Sequence, residues 1–218
     1  NPKPHSPRHA LCLAAYMVLI AATACSPNGR PVDELVRNGD RFLTPETMQP
    51  YSGLAFATFK GQPSVVAQRL SLENGTYHGS FETFFHNRKL SSKEIYHHGV
   101  KNGPYERYFE NGQLFQSGTY KEGRLDGPYR AYWENGDLYE EGTHRDDVFD
   151  GPRRWYSSGR LVELATYRLG EMEGLYERYH VDGALDLKGI LVAGNPCGTW
   201  IEGDHVIIYS TCGMRSTE

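Results

Sequence analysis

No stretch of this 218-residue chain is apolar for the ~20 residues a helix needs to cross a bilayer. The longest apolar run, Ala10 to Ala24, is only 15 residues. Basic charge is not in excess: 23 Lys and Arg stand against 27 Asp and Glu, which removes the electrostatic footprint of a nucleic-acid binder. Cysteine is scarce, with four residues, so the chain is not a disulfide-dense scaffold, and none of the four is spaced C-x-x-C as a redox pair would be. The motifs G-x-S-x-G, G-x-x-x-x-G-K-[ST] and G-x-G-x-x-G are all missing, so neither a hydrolase nucleophile elbow nor a phosphate-cradling loop is present. No cofactor is implied, and nothing points to an enzyme.

Glycine and tyrosine are abundant instead, at 24 and 15 residues, with 9 Phe. Glycine supplies turns, and tyrosine covers a sheet while keeping its hydroxyl wet, so the composition suits a thin β-structure. Its organisation is a repeat. Gly79, Gly103, Gly127, Gly151, Gly174 and Gly198 recur at intervals of 24, 24, 24, 23 and 24. Leu90, Leu114, Leu138, Leu161 and Leu185 keep the same phase and place one deletion between Gly151 and Leu161. Each unit carries a turn dipeptide, Asn111-Gly112, Asn135-Gly136 or Asp182-Gly183, with Asn87-Arg88 and Ser158-Gly159 as weaker versions. Read as two-residue type I′ turns, these pair Phe109 with Leu114, Arg107 with Gln116, Tyr105 with Gly118 and Tyr129 with Gly142, and place Tyr108 against Phe115. Tyr105 and Tyr129 then cover cross-strand glycines. The predicted fold is all-β: an elongated single-layer antiparallel meander of tandem β-hairpin repeats of about 24 residues.

The units Gly103–Gly112 and Gly174–Gly183 resemble MORN repeats, in the bacterial variant with a Glu-Asn-Gly turn, over roughly residues 51–200. The resemblance implies hairpins laid side by side, non-catalytic binding or scaffolding, and a protein partner. Many bacterial members carry an antitoxin label, so an antitoxin or immunity-type protein that binds a cognate toxin is the alternative function. The start of the chain has its own likeness. Lys3, Arg8, the apolar run and Ala22-Thr23-Ala24-Cys25-Ser26 resemble a bacterial lipoprotein signal, with Cys25 as the lipidation site. Ordinary cleavage at the same A-x-A site and an uncleaved anchor are the alternatives. The expected division is a signal peptide at 1–24, a lipid-anchored tether at 25–50, the repeats at 51–200, and a C-terminal cap and tail at 201–218. The expected address is the cell envelope, as an outer-membrane lipoprotein attached through its lipid, or periplasmic or secreted if unmodified.

Four groups of residues are candidates for chemistry. Cys197 and Cys212, an even pair in an exported chain, suggest a disulfide stapling the C-terminal cap. Tyr105, Tyr129 and Tyr176 form one recurring row, with Phe81 in the same slot, and Tyr108, Tyr132, Trp155 and Tyr179 form a second with Phe84. Such rows either replace a core that a thin sheet lacks or bind a partner. The recurring carboxylates Glu106, Glu110, Glu134, Glu177 and Asp182 read as a solvated ladder. No metal site is expected: His97 and His98 are adjacent, and neighbours in a regular strand point to opposite faces.

Overall fold

The computed structural model describes residues 29–212. The expected signal run and Cys25 lie outside the described residues. The strands are β1 (Arg30–Pro31), β2 (Val36–Asn38), β3 (Arg41–Leu43), β4 (Gly53–Phe59), β5 (Gln62–Glu73), β6 (Thr76–Phe84), β7 (Leu90–His97), β8 (Val100–Tyr108) and β9 (Leu114–Lys121). They continue as β10 (Arg124–Leu125), β11 (Gly127–Tyr132), β12 (Leu138–Arg145), β13 (Val148–Phe149), β14 (Gly151–Ser157), β15 (Arg160–Arg168), β16 (Glu171–Tyr179), β17 (Leu185–Val192), β18 (Asn195–Glu202) and β19 (His205–Tyr209). Seventeen of them form one open sheet in which each strand pairs with its sequence neighbour; only β2 and β3 stand apart, as a two-stranded ribbon. Two strand positions are interrupted: β10 and β11 both pair with β9, and β13 and β14 both pair with β12. The break falls at Asp126 and Asp150, each followed by a glycine, Gly127 or Gly151, whose φ of 120° or 107° opens a bulge in an otherwise extended strand. Among the described residues there is no α-helix, and no helix is long and apolar enough to cross a membrane.

The turns correct the sequence reading. At Asn111-Gly112 the Phe109 N–H donates to the Gln113 carbonyl and the Gly112 N–H to the Phe109 carbonyl. Only Gly112 has positive φ, 92°. This is a three-residue loop, a type I turn closed by a left-handed glycine, and not a type I′ turn. Asn111 is favoured because its Oδ1 accepts the Gln113 N–H at 2.8 Å, an Asx turn that Asn87, Asn135 and Asp182 repeat. The extra loop residue is compensated within the strand. Tyr108 pairs with Leu114 and Arg107 with Gln116, so Phe115 is a bulge residue. The expected pairs Arg107–Gln116 and Tyr105–Gly118 are present, whereas Phe109–Leu114 and Tyr108 against Phe115 are not. Type I′ turns occur at the opposite end of each unit. There Glu122-Gly123 and its equivalents His98-Gly99 and Leu169-Gly170 all have positive φ.

The deletion is also located. Ser158 and Gly159 both have positive φ and Ser157 pairs with Arg160, so this one loop has shrunk from three residues to a two-residue type I′ turn. Turns stack between units at both ends. The Gly99, Gly123, Asp147, Gly170 and Gly194 N–H groups donate to carbonyls of the preceding unit at 2.7–2.9 Å. At the other end, Asn87 Nδ2 donates to the Glu110 carbonyl and Asn111 Nδ2 to the Glu134 carbonyl. The Asn series stops at Asn135, whose Nδ2 turns to Asp137, because the shortened loop beyond it offers no matching carbonyl.

The ends of the sheet are closed differently. Residues from Arg30 onward do not form the expected tether. β1 adds to β4 in parallel, the one parallel pairing in a sheet otherwise antiparallel. Leu35 and Phe42 bury themselves against Ala55, Leu70 and Leu72, giving the first hairpins the core that a thin sheet lacks. At the other end β19 pairs with β18, and Cys197 and Cys212 are disulfide-bonded with Cα atoms 4.4 Å apart.

Candidate binding face

Strand alternation and this register give the sheet two unlike faces. One face carries a row that crosses nearly every strand: Arg69, Glu82, Lys93, Glu106, then Arg130, Glu141 and Arg154, then Glu177 and Lys188. Charges of opposite sign stand opposite each other. Ion pairs link Lys93 to Glu82 at 3.9 Å, Arg130 to Glu141 at 3.5 Å and Lys188 to Glu177 at 2.8 Å. The Lys188 ammonium and the Tyr179 hydroxyl hold the Glu177 carboxyl below its ordinary range. The recurring carboxylates Glu106 and Glu177 are thus members of a charge ladder. The row Tyr108, Tyr132, Tyr179 and Phe84 lies on this face. The hydroxyls of Tyr108 and Tyr179 donate to Glu106 and Glu177, and burial followed by Glu106 pushes the Tyr108 phenol up to about 12.

The opposite face is aromatic. Its central row runs Ala55, Leu70, Phe81, Glu94, Tyr105, Gly118, then Tyr129 and Gly142, then Arg153, Ala165, Tyr176 and Gly189. Tyr105 is 1 % exposed. Its ring lies so close over Gly118 that a Cβ there would sit 2.6 Å from Tyr105 Cε1, and its hydroxyl accepts from Gln116 Nε2 at 2.9 Å. Tyr105 is therefore core, while Tyr129 and Tyr176 are half-buried. Tyr129 pairs with Gly142 as expected, yet the ring over that glycine belongs to Phe149. Over Gly189 the cover is Trp200.

A second aromatic row, which sequence reasoning missed, flanks the first: Tyr77, Tyr96, Tyr120, His144, Phe149 and Tyr167. It interlocks with the central row through ring centroids 4.9 Å apart for Tyr105 and Tyr120, 5.2 Å for Tyr129 and His144, and 5.6 Å for Tyr77 and Phe81. Its signal was available in the intervals separating Tyr96, Tyr120, His144 and Tyr167, which follow the repeat and its deletion. Burial, then Arg153, lowers the His144 pKa.

Trp155 is not in the row of Tyr132. Tyr132 pairs with Leu138 and Tyr156 with Leu161, so Tyr156 holds that slot, its hydroxyl donating to Glu141 at 2.9 Å. Trp155 pairs with Glu163 and Glu140 and belongs to the aromatic face. The deletion, expected somewhere between Gly151 and Leu161, lies downstream of Trp155, at the Ser158-Gly159 turn.

This face holds cations against rings and carboxylates. Lys101 Nζ lies 5.0 Å from the Tyr120 ring centroid and donates to Glu94 at 2.9 Å. Arg153 replaces the tyrosine of its slot. Its guanidinium lies 4.0 Å from Phe149 and 4.1 Å from Trp155, and it is ion-paired with the buried Glu140. Beyond these, at the C-terminal end, a cleft of about 380 Å³ is walled by Tyr176, Trp200, Tyr209, Met172 and Leu191, with Glu163 and Glu202 among its lining residues. Burial, then the Glu163 charge, raises the Tyr176 phenol.

Strand alternation does not keep His97 and His98 apart. His98 is in a type I′ turn at φ 49° and not in a regular strand, so its ring meets that of His97, 4.3 Å away between centroids.

Comparison with curated proteins finds no match for the chain. Two consecutive units, residues 101–122 and 125–146, each match the MORN repeat variant.

Proposed function

We propose that this protein is a non-catalytic binding module of the bacterial cell envelope, attached to the membrane through a lipid on Cys25, and that it holds a protein partner on its aromatic face. The observation that carries the reading is the C-terminal cleft, where aromatic walls meet the carboxylates of Glu163 and Glu202. Such a cleft suits a basic side chain of a partner. Lys101 and Arg153 are cations already seated in this way elsewhere on the same face. The opposite face supports the assignment by contrast, because its charges are already paired with each other. The MORN-type repeats are compatible with binding and supply no catalytic set.

A photo-crosslinking residue at Ile207 or Glu202, in the native host, is expected to capture one partner that the same residue at Lys93 or Arg154 does not. Capture from the charged face alone, or from neither face, overturns the reading. If the captured protein is toxic on its own and harmless on co-expression, the module is an immunity protein. Membrane attachment is tested separately. Cys25→Ala should abolish labelling by a radioactive fatty acid and release the protein from the membrane fraction, and unchanged fractionation refutes it.

A further inference from the structure

We propose that His78, His97 and His98 form a divalent transition-metal site of the zinc class. The turn His98-Gly99 joins β7 to β8, and its left-handed first residue swings the His98 ring toward His97. The Gly99 N–H donates to the Tyr77 carbonyl at 2.7 Å, which pins this turn onto the preceding unit. That contact brings in His78 of β6, whose ring centroid lies 5.0 Å from each of the other two. The ligating nitrogens of the three residues all lie within 4.8 Å of one another. Zinc–imidazole bonds of about 2.0–2.1 Å need tetrahedral nitrogens roughly 3.4 Å apart. His97 and His98 are exposed, so their side chains have room to turn toward that spacing.

Two observations separate this cluster from ordinary surface histidines. The Glu73 carboxylate lies 3.1 Å from His78 Nδ1. A carboxylate beside the ring nitrogen is an arrangement that recurs behind metal-bound histidines, and the His98 backbone N–H also points at this Nδ1, at 3.5 Å, tying His98 to His78. The fold also does not demand histidine at these slots. One unit later they are filled by Asn102, Lys121 and Glu122, and the turn forms equally well. Imidazole suits Zn²⁺, Cu²⁺ and Ni²⁺, and three protein ligands leave a coordination position for water or for a partner's side chain.

Titration of the full chain with Zn²⁺ alone, by calorimetry, should give one saturable site. The substitutions to use are His78→Asn and His97→Lys, which copy the following unit, and His98→Asn, which suits a left-handed backbone. Each should weaken that site at least 10-fold, and Glu73→Gln should weaken it by about 10–100-fold. His180→Ala and His205→Ala should leave it unchanged. With Cu²⁺, nitrogen hyperfine splitting in the electron paramagnetic resonance spectrum should be present in the wild type and lost in the His97→Lys/His98→Asn double variant. An unchanged urea midpoint shows that these exposed replacements leave the fold intact. The proposal is overturned if no saturable site appears, if stoichiometry differs from one, or if the double variant binds Zn²⁺ as the wild type does.

Discussion

Gly118→Ala isolates the ring-over-glycine contact from every other property of glycine. Gly118 does not have positive φ, so its backbone accepts any L-residue. On conformational grounds alone, alanine in a strand interior should stabilise by about 0.5–1 kcal/mol. The contact predicts the opposite sign. The added Cβ would lie 2.6 Å from Tyr105 Cε1 and 2.9 Å from its Cζ and hydroxyl oxygen. Tyr105 is 1 % exposed and its hydroxyl is held by Gln116, so the ring has nowhere to retreat. Overpacking a filled site costs about 1–3 kcal/mol, which outweighs the conformational gain. Gly142→Ala is the matched control. It too lacks positive φ, and its Cβ would meet Phe149 only at 3.1–3.2 Å, so it should cost clearly less. In a Tyr105→Leu background the Gly118→Ala penalty should vanish. Because units in a repeat array unfold with partial independence, the readout should be local as well as global. Urea midpoints give the total, and hydrogen exchange of the β8 and β9 amides gives the site. If Gly118→Ala is neutral in the wild type, or equally costly without Tyr105, the close approach is not what the glycine is for.

Three further perturbations follow from contacts in the sheet. Asn111→Ala should lower hydrogen-exchange protection in the following unit's loop, and Asn135→Ala should not do so in the unit beyond it, because Asn111 Nδ2 bonds the Glu134 carbonyl across units whereas Asn135 Nδ2 bonds Asp137 within its own loop. Each should cost about 0.5–1.5 kcal/mol per lost hydrogen bond in urea unfolding. Arg153→Ala should cost about 3–5 kcal/mol by the same assay, since it strands Glu140, whose side chain is 5 % exposed. Adding Glu140→Leu should recover most of that loss, and failure to recover it would mean that the guanidinium acts through the rings alone. For His144 the folded pKa is lowered, so the unfolded chain binds the proton more readily. The stability it contributes is present above about pH 6.5 and is lost as pH falls through the folded value. His144→Phe should flatten that part of the stability–pH curve, and a curve that keeps its slope assigns the effect to another group.

What could be read in the sequence was whatever the backbone imposes on a single residue. Glycine at each unit's start and leucine after each loop kept their phase because the bulge and the cross-strand slot leave few alternatives, and that gave the meander, the Tyr105–Gly118 pair and the existence of a deletion. What could not be read depended on pairing partners. Asn-Gly satisfies a two-residue type I′ turn and a three-residue loop equally well, since both place glycine in the left-handed region. Only the register distinguishes them: Tyr108 facing Leu114 and not Phe115. The same ambiguity put Trp155 in the wrong row. A deletion known only to lie between Gly151 and Leu161 leaves the residues between them unphased, and one step of phase moves a side chain to the other face. The segment after Arg30 was misread for a different reason. Its proline and polar content resembled a linker, while the few residues that make it a cap, Leu35 and Phe42, count only through contacts with Leu70 and Leu72 more than twenty residues away.

The deletion also bears on the candidate binding face. Upstream of it, the face is filled from within: Tyr105 is sealed by its neighbours, and Lys101 occupies the space beside Glu94 and Tyr120. In the shortened unit itself, arginine stands in the tyrosine slot and its guanidinium is enclosed by Phe149, Trp155 and Glu140. Past that unit the same ingredients, rings and carboxylates, border a cleft. A repeat array whose units were all alike would offer the same weak surface along its length. The departures from the repeat make one end distinct: arginine for tyrosine at Arg153, and Trp200 closing over Gly189 with the disulfide behind it. The proposed binding site thus falls in the units that break the pattern, and the units that keep it hold them in place.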